Sequence, residues 1–133
     1  MTGDEYILAF HKHSEHVDTL AEKLAEKRAE ASNGTRMMTN IRTDKTNDVT
    51  RRIEDVAILI DHYERELAEL FSMEIVVLNM IHLIDNNIWA SFLISRYVLG
   101  YPYEQISVQL GISIQHLYHI NRESLELLKE IEL

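Results

Sequence analysis

The chain has 133 residues, enough for one hydrophobic core, either as a single domain or as a domain with a helical extension. It contains no cysteine, which excludes disulfides and thiolate chemistry and favours a reducing cytoplasm as its location. Its net charge of −9 opposes long-range attraction to nucleic acid, so DNA binding requires the acidic residues to be concentrated away from the contact surface.

With one proline and four glycines, the chain is predicted to be all-α. Residues 4 to about 31 are predicted to form one helix with a narrow apolar stripe and a charged opposite face. Because so narrow a stripe needs a partner, we expect this helix to fold back antiparallel on a second helix over residues 49–71. The stripe consists of Ile7, Phe10, Val17, Leu20, Ala21 and Leu24.

Residues 32–48 interrupt the helical pattern and are predicted to form a polar linker. The segment 32–52 carries five basic and two acidic side chains, a net charge of +3, which makes it the basic region of the chain. Two interpretations stay open, a solvated connector or a segment whose cations contact DNA phosphates. The possible phosphate contacts are Arg36, Arg42, Lys45, Arg51 and Arg52.

The second helix, for which Asp48 or Thr50 is the candidate cap, has apolar side chains alternately three and four residues apart, a spacing typical of a coiled-coil seam. It either continues through Ser72 or gives way there to a new helix. We therefore predict a coiled-coil-like antiparallel helical hairpin over residues 1–84 and a separate domain over residues 85–133. The seam consists of Ile53, Val56, Ile60, Tyr63, Leu67 and Leu70.

This seam, together with Leu125, Leu128 and Ile131 near the C-terminal end, is more apolar surface than one helical pair can cover. We therefore expect a homodimer with two-fold symmetry. Residues 53–86 carry one basic and eight acidic side chains, a net charge of −7, so the acidic residues are concentrated in the middle helix.

The next helix is predicted over residues 88–99, after a turn in which Asn87 is the candidate cap. This segment and residues 75–84 are the most apolar of the chain, yet each is too short to span a bilayer, so no membrane partner is expected. The side chains expected to form the core of this helix are Trp89, Phe92, Leu93 and Tyr97.

Residues 100–131 have the pattern of a short helix, a turn and a longer helix. Gly100 can adopt the positive φ that closes a preceding helix, and Pro102 has the fixed φ suited to the first turn of the next. Gly111 ends the short helix, and Ser113 can cap the longer one. One apolar face runs through both helices, at Ile106, Leu110, Leu117, Ile120, Leu128 and Ile131. The pattern predicts a helix-turn-helix, whose second helix enters the major groove of DNA, with an ordinary helical hairpin as the alternative.

Residues 93–106 and 110–113 resemble region 4 of sigma-70-type transcription factors. The whole chain is similar to a family of small phage and prophage proteins, the ArpU-type late-gene regulators, which join a charged helical half to such a domain. The resemblance extends over residues 83–133 and is looser before them. It implies a sigma region-4-like helix-turn-helix bundle and a DNA-binding regulator of transcription. One departure is that Arg122 and Lys129 are the only basic residues on the second helix, where sigma region 4 carries several.

Under this interpretation the helix of residues 113–124 reads double-stranded DNA. The candidate base contacts lie off the apolar stripe, and Gln and Arg side chains can bond adenine and guanine edges in pairs. Tyr103 and the backbone N–H groups at Ser113 are the candidate phosphate contacts of this domain. The candidate base contacts are Gln115, His116, His119 and Arg122.

Two other functions fit the same pattern. A helical protein-interaction module, for example one that binds RNA polymerase, would explain the acidic middle helix without any DNA affinity. A DNA-packaging protein similar to a terminase small subunit would also join a helix-turn-helix to a helical part.

Enzymatic activity is not expected. The sequence contains no glycine-rich phosphate loop, nucleophile elbow or two-histidine zinc helix. His13 and His16 have metal-ligand spacing, but two ligands do not make a site. We therefore predict no catalytic residue, no cofactor and no metal.

Overall fold

The computed structural model describes the backbone of residues 1–40 and 46–133 and the side chains of residues 1–32 and 50–133. The described chain is all-α, as the composition predicted, and its only β-type pairing is a single antiparallel bridge between Thr2 and Glu132. Its helices are α1 (Gly3–Ser14), α2 (Val17–Asn40), α3 (Thr46–His82), α4 (Asn87–Leu93), a π-helical segment (Ile94–Val98), α5 (Tyr103–Leu110) and α6 (Ile114–Leu128).

The chain divides into two compact units. Unit 1 consists of Met1–Glu15 and Leu70–Leu133, and unit 2 consists of His16–Glu69. This division differs from the predicted one between residues 84 and 85, because residues 1–15 and 70–84 belong to the same unit as the C-terminal helices.

The single helix predicted over residues 4–31 is wrong, because α1 ends at Ser14 and α2 begins at Val17. The Ser14 hydroxyl donates to the His11 carbonyl at 2.8 Å, and the Glu15 N–H approaches the same carbonyl at 3.2 Å. The Ser14 hydroxyl thus competes with backbone N–H groups for a helix carbonyl, and the neighbouring residues are weak helix formers. Both effects favour the end of α1 at Ser14.

The linker predicted over residues 32–48 is also shorter than expected, because α2 continues to Asn40 and α3 begins at Thr46. Asp48 and Thr50, the two candidate caps of the second helix, therefore both lie inside it. α3 is continuous through Ser72, which decides between the two alternatives left open there. Three of the candidate phosphate contacts, Arg36, Arg42 and Lys45, lie outside the residues whose side chains are described.

In unit 2, two ion pairs join α2 to α3. The Arg28 guanidinium lies 2.6 Å from a Glu64 oxygen, and that of Arg52 lies 3.0 Å from a Glu30 oxygen. Hydrogen bonds from Lys27 and Arg52 hold the pKa of Glu30 below its usual value. The predicted seam is the sheltered side of α3 within this unit, with Val56 buried and Ile53, Ile60, Tyr63 and Leu67 half-buried.

The core of unit 1 is built from every one of its helices. Ile7 and Phe10 of α1 share it with the C-terminal part of α3, and the remaining members come from α4 through α6. These others are Val77, Met80, Ile81, Ile84, Phe92, Leu93, Tyr97, Ile106, Leu117, Ile120 and Leu128. The residues expected at the core of the 88–99 helix are confirmed, with Trp89 at the margin.

The two ends of unit 1 are held together by backbone hydrogen bonds. The Gly3 N–H donates to the Ile131 carbonyl at 2.8 Å, and the Leu133 N–H donates to the Met1 carbonyl at 2.9 Å. Gly3 is buried, and a Cβ there would lie 2.6 Å from the Leu128 carbonyl oxygen. Because only glycine permits this approach, the start of α1 can contact the end of α6.

We expect Gly3→Ala to destabilise unit 1 by roughly 1–3 kcal/mol, because the new methyl group overpacks a backbone contact that cannot yield as a side-chain end would. Urea unfolding followed by circular dichroism measures the change. Lys12→Ala, an exposed substitution in the same helix, is the control and should stay within about 0.5 kcal/mol of wild type. Equal stability of the two variants would contradict this account of the contact.

Candidate nucleic-acid interface

The helix that precedes α5 is irregular at its C-terminal end. The Leu99 N–H donates to the Ile94 carbonyl at 2.9 Å, a five-residue step that is characteristic of a π-helix. Gly100, at φ 73°, then ends the helix as predicted. At the other end the cap is Asn86 and not the predicted Asn87, because the Asn86 side-chain oxygen accepts hydrogen bonds from the Ile88 and Trp89 N–H groups at 3.1 and 3.2 Å.

Arg96 of the π-helical segment is held beside the start of α5. Its guanidinium donates to the Tyr101 carbonyl at 3.2 Å and lies 4.8 Å from the centre of the Tyr103 ring. Tyr103 also contacts the rings of Phe92 and Tyr118, with centroids 5.9 and 4.6 Å away. Tyr103 is therefore half-buried, and burial raises the pKa of its hydroxyl.

The turn between α5 and α6 is fixed by three local bonds. Gly111 adopts a left-handed conformation at φ 67°, and its N–H donates to the Ser107 carbonyl. The Ser107 hydroxyl donates to the Ile112 carbonyl at 2.5 Å. The Ser113 hydroxyl oxygen accepts a hydrogen bond from the His116 N–H at 3.2 Å. The predicted break at Gly111 and the predicted cap at Ser113 are both confirmed.

One face of α6 is buried and the other is exposed. Leu117 and Ile120 are buried as predicted, and the Ser124 hydroxyl, also buried, donates to the Ile120 carbonyl at 2.6 Å. Successive residues of an α-helix are rotated by about 100° about its axis. Gln115 and Arg122 therefore lie on the side of α6 opposite the buried stripe, and both are exposed.

All four candidate base contacts have exposed side chains: Gln115, His116, His119 and Arg122. The rings of the two histidines stack with centroids 5.9 Å apart. The Arg122 guanidinium lies 3.1 Å from Nδ1 of His119 and 3.9 Å from a carboxylate oxygen of Glu123. Both of these neighbours of Arg122, His119 and Glu123, belong to α6 itself.

The candidate phosphate contacts are spread over both units. Ser113 is exposed, although its hydroxyl oxygen already accepts the capping bond. In unit 2, Arg51 and Arg52 are exposed, and the charge of Arg52 is partly offset by Glu30.

Tyr118 belongs to the exposed side of α6 but was missed in the sequence interpretation. Its side chain is 56% exposed, and its position falls three residues after Gln115 and four before Arg122. With Leu117 and Ile120 on the buried side, this helical spacing places Tyr118 on the exposed side, so the sequence alone contains the signal for it.

Tyr97 connects the π-helical segment to α6. Its hydroxyl donates to the Asn121 side-chain oxygen at 2.5 Å, and its ring meets that of His11 edge-on at 5.3 Å between centroids. Burial raises the pKa of Tyr97 to about 12. The bond helps fix the position of α6 along the core.

No family model, curated protein or solved structure matches the chain. Where residues are described, none of the helices is both long enough and apolar enough to cross a membrane. Within the same described ranges, histidine and acidic side chains form no group of three able to hold a metal ion.

We expect Tyr97→Phe to cost about 1–2 kcal/mol at pH 8, because Asn121 loses its hydrogen-bond partner. The native tyrosine keeps its proton in the folded state up to about pH 12, whereas the unfolded chain loses it near pH 10. Its contribution to stability is therefore complete below about pH 10 and is lost as the pH rises through about 12.

Phenylalanine has no proton to lose, so the stability difference between wild type and Tyr97→Phe should narrow between pH 10 and pH 12. Urea unfolding of both proteins at several pH values measures this difference. A constant difference over that range would contradict the raised pKa.

Proposed function

We propose that the protein is a DNA-binding regulator of transcription of the phage or prophage type, with α5, the turn and α6 as a sigma region-4-like helix-turn-helix. The observation that carries the proposal is the exposed side of α6, where Gln115 and Arg122 lie on the surface of a helix whose opposite side is buried. A recognition helix needs this division, because its outer side chains must reach base edges while its inner side anchors it to the domain.

The geometry of the turn supports the same proposal. Gly111 in the left-handed conformation and the Ser113 cap join a short helix to a longer one within a few residues. A short turn that contains glycine is characteristic of helix-turn-helix motifs. The N–H groups at the start of α6 are the part of the domain suited to a phosphate.

Charge is the main obstacle to tight binding by one copy of the chain. Residues 87–133 carry three basic and five acidic side chains, and Arg122 is shared with His119 and Glu123. Affinity for DNA should therefore be modest for a single copy. A second subunit or the basic segment 32–52 would add to it.

The ion pairs between α2 and α3 support the antiparallel hairpin as part of this proposal. In the same proposal the protein is a homodimer. The apolar surface that would form the dimer contact is, however, not the C-terminal one expected from the sequence. Leu128 is buried within the chain, and Leu125 and Ile131 pack against the core, so that surface is already covered. Phe71 and Ile75 of α3, 56% and 60% exposed, leave apolar surface that a second subunit would cover.

Sedimentation velocity at 10–50 µM tests the homodimer, with a single species of twice the chain mass as the expected result. Phe71→Gln should shift that species toward the monomer, because it places a polar group in the apolar contact. Ile58→Gln is the matched control, since Ile58 is 68% exposed but lies in unit 2. A wild-type monomer over this range would overturn the dimer and leave the DNA-binding proposal standing.

An interaction module without DNA affinity, such as one that binds RNA polymerase, is the second candidate. The observation in its favour is that Arg122 is the one basic side chain among the residues of α6 itself, where it is accompanied by Glu123 and Glu126. A helix with this balance of charge is better suited to a protein surface than to a phosphate backbone.

DNA binding is tested by selecting duplexes from a randomised pool and measuring their affinity for wild type, Arg122→Ala and Gln115→Ala. Each substitution should weaken binding to selected duplexes by about 1–3 kcal/mol, because a base contact is lost. The midpoint of thermal unfolding should hardly change, since both side chains are exposed.

Arg65→Ala is the matched control for loss of one positive charge, because Arg65 is exposed on α3 in unit 2. It should leave the preference for selected over scrambled duplexes unchanged. If wild type binds no duplex at low salt, the interaction module becomes the better description.

A further inference from the structure

We propose that Tyr118 and Ile114 form an apolar reading surface on α6 that recognises the C5-methyl groups of thymine. This inference rests on the proposed DNA-binding function and specifies which bases the helix prefers. It adds two residues that the pattern of polar side chains on α6 does not reveal.

Tyr118 lies on the exposed side of α6, next to Arg122. It lies three residues after Gln115 and four before Arg122, so the three side chains follow one another along the helix. Ile114 lies one turn before Tyr118 and is 37% exposed. A duplex that Gln115 and Arg122 contact through base edges would therefore also meet the aromatic ring and the isoleucine.

The ring of Tyr118 packs against another aromatic side chain of unit 1. It packs on Tyr103 with centroids 4.6 Å apart and an angle of 32° between the planes. Tyr103 is itself held between Phe92, at 5.9 Å, and the guanidinium of Arg96, at 4.8 Å. An exposed ring with this support loses little conformational freedom on binding, which favours specific recognition.

The chemistry of the exposed side selects the base. Arg122 is the one arginine or lysine within α6, which leaves room for uncharged side chains to contribute to discrimination between bases. In the major groove the only apolar group that a base pair presents is the methyl group of thymine, which aromatic and aliphatic side chains contact in protein–DNA complexes. Tyr118 and Ile114 therefore favour sites with thymine next to the bases read by Gln115 and Arg122.

Deoxyuridine tests the inference directly, because it differs from thymidine only by the missing methyl group. Duplexes are first selected from a randomised pool with the wild-type protein, and each thymine of the preferred site is then replaced in turn. At one or two positions wild-type affinity should fall about fourfold, the factor expected for one buried methyl group.

The same replacements should leave the affinity of Tyr118→Ala unchanged at those positions, because the surface that contacts the methyl group is gone. Tyr118→Phe keeps the ring and should respond as wild type does. Leu127→Ala is the matched control, since Leu127 is 38% exposed on α6 but lies half a rotation round from Tyr118. It should also respond as wild type does.

The results separate this inference from the function on which it rests. Selection of a preferred site whose affinity is insensitive to every deoxyuridine, or equally sensitive in Tyr118→Ala, would overturn the inference while leaving DNA binding intact. Failure of the wild-type protein to bind any duplex would overturn both.

Discussion

The buried stripe of Leu117, Ile120 and Leu128 fixes the rotation of α6 about its own axis, and the outer surface of unit 1 depends on it. Burial of one such side chain is worth roughly 1.5–3 kcal/mol, so turning the helix by one residue would cost several kcal/mol and bring His119 or Asn121 toward the core. The core that contains this stripe also includes Ile7 and Phe10, which lie more than a hundred residues earlier in the chain. The exposed side of α6 is thus defined by what α1 and α4 cover.

Features that depend on neighbours along the chain were predictable from the sequence. The end of α5 at Gly111 and the Ser113 cap follow from backbone preferences, and the stripe of α6 follows from helical periodicity. The placement of α1 was not predictable, because it depends on the contact between Gly3 and the Leu128 carbonyl, which no local pattern encodes. The break after Ser14 was missed because a serine inside a helical pattern gives only a weak signal of competition for the backbone.

In the candidate site, too, the features set by helical periodicity were predictable and those set by side-chain packing were not. Exposure of Gln115 and Arg122 follows from their positions off the stripe. The packing of Tyr103 between Phe92 and Tyr118 depends on side-chain conformations and on the approach of three helices, so its half-burial could not be predicted. The bond between Arg122 and His119 likewise reflects rotamers, which spacing permits but does not select.

The π-helical segment has a further consequence for the length of the chain between α4 and α5. It accommodates one residue more per turn than an α-helix, so residues on either side of it differ in phase by about 100° from a regular helix. Removing a single residue from Ile94–Val98 would leave the hydrophobic composition almost unchanged. The segment would then be a regular α-helix, without the wide turn from which Tyr97 now reaches Asn121 and Arg96 reaches the Tyr103 ring. These two contacts therefore depend on the number of residues in the segment as well as on their identity.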